Sequence, residues 1–134
     1  MRKILLVDDD RDLSEVIQHV LALKGYEVLV CHDSQTGLKA AREQKPDLIL
    51  MDVMLPGMSG AQAVKMLKSD SDLRKIPVVF LTGLVSHNEK DLEREGLMVD
   101  GAHYPTLAKP FSNDRLVELV EAGLNRGSRQ SSSY

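Results

Sequence analysis

Short, wholly apolar runs alternate along this chain with longer segments whose apolar residues recur every three or four positions. Ile4-Leu5-Leu6-Val7 is such a run, and an uninterrupted apolar strand is what a sheet covered on both faces requires. Leu13, Val16, Ile17, Val20 and Leu21 follow at i, i+3, i+4, i+7 and i+8, one face of a helix. Lys24-Gly25 closes it with a cation in the last turn and a glycine free to take the left-handed cap. Tyr26 to Cys31 predicts a second strand, Leu38 and Ala41 mark a weaker helix ending before Lys45-Pro46, and Pro46 to Met51 predicts a third strand. Ser59-x-x-Gln62 is a capping box before a helix carrying Val64 and Leu67. Ile76 to Leu81 predicts a fourth strand, and a charged helix capped by Ser86-x-x-Glu89 runs to about Glu95. The weakest strand spans Tyr104 to Ala108, interrupted by Pro105. Ser112 then caps a last helix with Leu116, Leu119, Val120 and Leu124, and Phe111 with Leu116 forms a hydrophobic staple.

Five strands, each followed by a helix, with no internal repeat or linker, predict one α/β domain. Its expected architecture is a doubly wound five-stranded parallel sheet, strand order 2-1-3-4-5, with helices on both faces. The domain is expected over residues 1–126, followed by a flexible polar tail over 127–134 (GSRQSSSY).

Composition narrows the class. A chain of 134 residues can bury a core without metal or disulfide, and its one cysteine, Cys31, cannot form an internal bridge. The net charge of -3 argues against nucleic-acid binding through overall charge. The apolar runs are strand-sized, far short of the ~20 residues a membrane helix needs. Acids follow the first apolar run at once, so no signal peptide is read and a cytoplasmic protein is expected.

The reactive side chains cluster by position. Asp8-Asp9-Asp10 end the first strand, Asp52 the third and Thr82 the fourth, and Lys109 follows the fifth. In an open parallel sheet these ends share one edge, where ligands bind at the reversal of strand order. Crowded carboxylates repel unless a cation sits among them, and hard oxygen ligands suit Mg²⁺ or Mn²⁺. With a hydroxyl and an ammonium at the rim, the set suits a tetrahedral phosphoryl dianion, and Asp52 is the candidate nucleophile. Taken singly, each residue has a plainer reading: a helix N-cap for the aspartates, a turn residue for Asp52, a strand exit for Thr82 and a surface lysine for Lys109. Their convergence on one edge favours the joint reading.

The segments Ile4 to Asp10, Asp47 to Gly60, Leu81-Thr82 and Ala108-Lys109-Pro110-Phe111 resemble the receiver domain of two-component response regulators over about residues 2 to 125. The resemblance implies a flavodoxin-like fold and Mg²⁺-dependent phosphoryl transfer onto Asp52 from the phosphohistidine of a histidine kinase or phosphotransfer protein. It implies metal ligation by Asp9, by Asp8 partly through water, by Asp52 and by the Met54 backbone carbonyl. Thr82 and Lys109 are implied as phosphoryl-binding switch residues, and the Lys109-Pro110 bond as cis. A phosphorylation-dependent dimer and a downstream protein or output domain are also implied, with no nucleic-acid or membrane contact by the domain itself.

Two departures from the family stand out. The stretch from Thr82 to Lys109 is longer than usual, and Thr106 occupies the position where the family often carries a mobile aromatic, with Tyr104 two residues earlier. Either a bulge restores Tyr104 to that role or the coupling is altered. Met54 and Leu84, two residues beyond Asp52 and Thr82, are bulky and apolar, and a long-lived phosphorylated state is expected. Two rival functions remain. A Mg²⁺-dependent aspartyl-phosphate phosphohydrolase would need an acid where Met54 stands; a phosphorylation-independent scaffold would not need the intact acidic set. The histidines show no ligand spacing, and His19 is expected at the surface.

Overall fold

The structure, a computed structural model, describes residues 1–83 and 97–132. The elements in order are β1 (Lys3–Val7), α1 (Arg11–Leu23), β2 (Glu27–Cys31), α2 (Ser34–Gln44), β3 (Leu48–Asp52), α3 (Gly60–Ser69), β4 (Val78–Thr82), β5 (Leu97–Val99), β6 (Ala102–Tyr104), β7 (Thr106–Ala108) and α4 (Asn113–Ser132). The helix expected from Ser86 to Glu95, and Leu84, lie outside the described residues.

Five strands form one sheet in the order β2-β1-β3-β4-β7, and every pairing in it is parallel. This is the doubly wound arrangement the alternating pattern predicts, with β7 as the fifth strand. Successive residues of a strand point to opposite faces, so each strand feeds two cores. Leu5, Val7, Ile49, Met51 and Phe80 pack against Leu38 and Ala41 of α2 and Ala63, Val64 and Leu67 of α3. Ile4, Leu6, Leu48, Leu50, Val79 and Leu81 pack against Ile17 and Leu21 of α1 and Leu116, Val120 and Leu124 of α4. At roughly 1.5–3 kcal/mol per buried large aliphatic side chain, these two layers dominate the stability and hold the strand ends rigid. The caps are as the sequence suggests: Asp10 Oδ1 accepts from Leu13 N at 3.0 Å, Ser59 Oγ from Gln62 N at 3.2 Å and Ser112 Oγ from Arg115 N at 3.1 Å.

Two features depart from the pattern. The expected strand Tyr104 to Ala108 is divided: only Thr106–Ala108 joins the sheet, while Tyr104 ends β6 of an antiparallel β5-β6 hairpin. Pro105 causes the division, because it has no N–H to give a ladder; its carbonyl instead accepts from Phe80 N at 2.9 Å. The hairpin turns at Asp100-Gly101, both with positive φ (51° and 81°), the backbone a tight two-residue hairpin turn demands. The last helix also continues to Ser132, past residue 126 where the polar tail was expected. Among the residues whose burial is described, Leu124 is the last one buried, and a helix already nucleated by packing extends at one hydrogen bond per residue.

Candidate functional site

Each strand of the sheet's middle ends on a functional residue at the carboxyl edge. Asp8 directly follows β1, and its N–H donates to Cys31 O at 3.0 Å, extending the β1–β2 ladder by one step. Its side chain is fully buried, with Oδ1 accepting from Asp10 N at 2.9 Å. Asp10 caps α1, so the acidic run both starts the helix and shapes the loop. Asp9 lies between them, exposed. Asp52, the last residue of β3, is 4% exposed, and its Oδ1 accepts from Met54 N at 3.1 Å. The loop beyond it folds back tightly, with Gly60 N donating to Val53 O at 2.9 Å. A Cβ at Gly60 would collide with the Asp52 carbonyl, so only glycine lets α3 start this close to the acid.

Thr82 ends β4, buried, and its carbonyl accepts from Lys109 N at 2.7 Å. Lys109 follows β7, in a cis bond to Pro110. Its ammonium reaches both buried acids, 2.8 Å from Asp8 Oδ2 and 3.3 Å from Asp52 Oδ2. One carboxylate oxygen from each of Asp8, Asp9 and Asp52 lies within 4.8 Å of the others. Beside the cluster, Asp10, Leu13, Gly83, Lys109, Pro110 and Phe111 line a cavity of about 330 Å³.

The electrostatics follow from that crowding. Burial pushes the Asp52 carboxyl up to about 6; the nearby Asp8 charge adds to the rise, while the Met54 N–H and the Lys109 ammonium oppose it. Burial acts to lower Lys109, but its contacts with Asp8 and Asp52 outweigh it and hold the ammonium above its usual value. One ammonium faces three carboxylates, and carboxylate oxygens this close form a hard, anionic donor set. That set fits a small divalent cation such as Mg²⁺.

Asp8, Asp9, Asp52, Thr82 and Lys109 thus lie where strand-end reasoning puts them, on one edge. Tyr104 and Thr106 lie away from this cluster on the hairpin side. Thr106 is buried in register with Phe80, and its hydroxyl accepts from Leu97 N and donates to Tyr104 O, both at 3.1 Å. Tyr104 packs edge-on against Phe80, ring centroids 5.6 Å apart. Sequence reasoning passed over His32, whose Nδ1 lies 2.8 Å from the Asp8 carbonyl. The pairing of Val7 with Cys31 places it there, since the residues after two parallel partners are also neighbours.

Fold and edge together define a doubly wound α/β domain with an acidic cluster, fit for a small divalent cation, at its strand-order reversal. The chain belongs to the response regulator receiver domain family, which it matches over residues 4–121. It is 39% identical over 125 residues to the phosphate regulon transcriptional regulatory protein PhoB of Pseudomonas aeruginosa, covering 93% of this chain and 52% of PhoB. The chain therefore spans about half the length of the curated relatives it matches. Among solved structures, the chemotaxis protein CheY4 of Vibrio cholerae superposes with a TM-score of 0.77 at 28% identity, covering 92% of this chain and 98% of CheY4. The receiver domain of the sensor histidine kinase PA1611 from Pseudomonas aeruginosa, solved with a magnesium ion in its active site cleft, gives a TM-score of 0.78 at 27% identity, covering 92% of this chain and 98% of that one. Receiver domains are signalling domains rather than classical enzymes. Among the described residues, no helix is long and apolar enough to cross a membrane.

Proposed function

We propose that Asp52 accepts a phosphoryl group from the phosphohistidine of a histidine kinase or phosphotransfer protein, and that its phosphorylation switches a partner-binding surface. The observation that carries this reading is the Lys109 ammonium shared between Asp8 and Asp52. An Asp52 carboxylate oxygen attacks phosphorus, the P–N bond of the phosphohistidine breaks, and the imidazole leaves with the bond's electron pair. Lys109 then moves from the carboxylates to a phosphoryl oxygen, and the Thr82 hydroxyl takes another. The Met54 N–H, already on Asp52 Oδ1, keeps the acid oriented throughout.

Asp8, Asp9, Asp52 and the Met54 carbonyl would hold Mg²⁺, with Mn²⁺ as a substitute. When bound, the ion neutralises charge on the transferred group. Magnesium in the cleft of the PA1611 receiver domain supports this choice. A cytoplasmic setting, a phosphorylation-dependent dimer and an output supplied by another protein or domain belong to the same reading.

A second reading, a scaffold that works without phosphorylation, draws on Thr106 and its bonds to the hairpin, in the position expected of a mobile aromatic. Incubation with acetyl phosphate and Mg²⁺ separates the readings by intact mass and released phosphate. One phosphoryl group per chain, absent in Asp52→Asn, is expected. No adduct would favour the scaffold, and sustained phosphate release would favour a phosphohydrolase.

A further inference from the structure

Outside the acidic site, the described residues gather a second set of charges at the opposite, amino-terminal edge of the sheet. Lys68 near the end of α3, Arg74 before β4, His103 and Tyr104 in β6, and Arg126 in α4 line a cavity of about 230 Å³. A second cavity of about 360 Å³ shares Lys68, Arg74 and Tyr104 and adds the apolar Val64, Val99 and Ala102. The Lys68 ammonium is fixed at their common wall: it donates to the carbonyls of Arg74 at 2.8 Å and Ile76 at 3.0 Å, and sits 5.7 Å from the centre of the Tyr104 ring. Among the described residues, no carboxylate pairs with Lys68, Arg74 or Arg126. Asp100, at the rim of the second cavity, pairs with Lys65 at 3.6 Å.

A chain of net charge -3 has thus placed three cations, held apart from its own acids, around one recess. A cleft lined by one sign of charge focuses field and concentrates counter-ions. The second compartment shares Lys68 and Arg74 but puts Val64, Val99 and Ala102 where the first has His103 and Arg126, with the Lys65–Asp100 pair at its rim. A charged end and an apolar end, joined at Tyr104, describe an amphipathic anion. The concavity favours a small molecule over an acidic protein face, which would meet charges on a convex surface.

We propose that this double recess binds a small phosphate-bearing ligand of the nucleotide class, its phosphate against Lys68, Arg74 and Arg126 and its flat ring between Tyr104 and the Val64–Val99 wall. This assignment is independent of phosphorylation at Asp52. Arginine suits the phosphate end because its planar fork donates two hydrogen bonds to one phosphate. Burial lowers the Lys68 pKa, and a phosphate beside the ammonium would offset that desolvation.

The test is a titration of the ¹⁵N-labelled full chain, without Mg²⁺, at about 0.15 M salt, where exposed charges are screened beyond roughly 8 Å. The probes are AMP and inorganic phosphate. AMP is expected to shift the amides of Lys68, Ala102 to Tyr104 and Arg126 saturably, with inorganic phosphate acting on the same amides more weakly. Arg74 and Arg126 are exposed, so the double variant Arg74→Ala/Arg126→Ala keeps the fold; it is expected to weaken AMP by roughly tenfold or more while Asp52 still takes up phosphoryl from acetyl phosphate. The proposal is overturned by no saturable shift, by shifts confined to Asp8, Asp52 and Lys109, by equal affinity in the double variant, or by phosphate binding as tightly as AMP.

Discussion

The Lys109 ammonium and the Asp8 carboxylate, 101 residues apart in the chain, meet at 2.8 Å with Asp8 fully buried. The contact ties β7 to β1 across the mouth of the site. Removing one side of a buried pair strands the other charge at a cost of about 3–5 kcal/mol. Lys109→Met is therefore expected to destabilise the metal-free protein by on the order of 3 kcal/mol. Because Mg²⁺ can neutralise the stranded acids, saturating Mg²⁺ should recover part of that loss. Urea denaturation with and without Mg²⁺ checks this, and an equal loss in both conditions would contradict it.

Stability should depend on pH through Asp52. Its carboxyl is raised from 3.8 to about 6 in the folded protein, so the folded state holds the proton more tightly than the unfolded chain. That contribution is fully present below about pH 4 and is lost as pH rises through about 6. The metal-free protein should weaken across this window by up to about 3 kcal/mol. In Asp52→Asn the slope should flatten, as denaturation midpoints between pH 4 and pH 7 would show.

Thr106→Val keeps the shape of a buried side chain and deletes the hydroxyl that joins Leu97 N to Tyr104 O. An unsatisfied, part-buried N–H costs about 1–3 kcal/mol. The loss should be local, with faster amide exchange at Leu97 and the hairpin and little change in β1 and β3. Uniform loss of protection would instead place Thr106 in the global core.

Met54 is 61% exposed at the lip of the site and cannot orient water by hydrogen bonding. Met54→Asn supplies that capacity, and loss of phosphoryl from Asp52 should accelerate several-fold. The decay of the phosphorylated fraction, followed by intact mass, measures it; an unchanged rate would remove the expected link between Met54 and a long-lived state.

The site was legible in the sequence because each of its residues stands at the end of an apolar run, and parallel topology sends all such ends to one edge. Asp8, Asp52 and Thr82 needed no more than that. The hydrophobic pattern does not reveal the hairpin, although Asp100-Gly101 is the strongest local turn signal in its region. The runs beside it, Leu97–Val99 and Ala102–Tyr104, are only three residues each, too short for an alternation to register. The pattern makes Pro105 an interruption within one strand, whereas its ring separates two. His32 escaped because its role comes from a neighbouring strand. The end of α4 escaped because Gly127 and the serines have low helix propensity, which the packed turns before them override.

The Asp52 carboxylate itself is expected to take the phosphoryl group. Borohydride reduces an acyl phosphate to the alcohol, converting a phosphorylated aspartate to homoserine. Treating the protein with acetyl phosphate and Mg²⁺, reducing it and sequencing its peptides by mass spectrometry should place homoserine at position 52 and nowhere else. Homoserine at position 8 or 9, or none at all while phosphate is taken up elsewhere, would contradict the account.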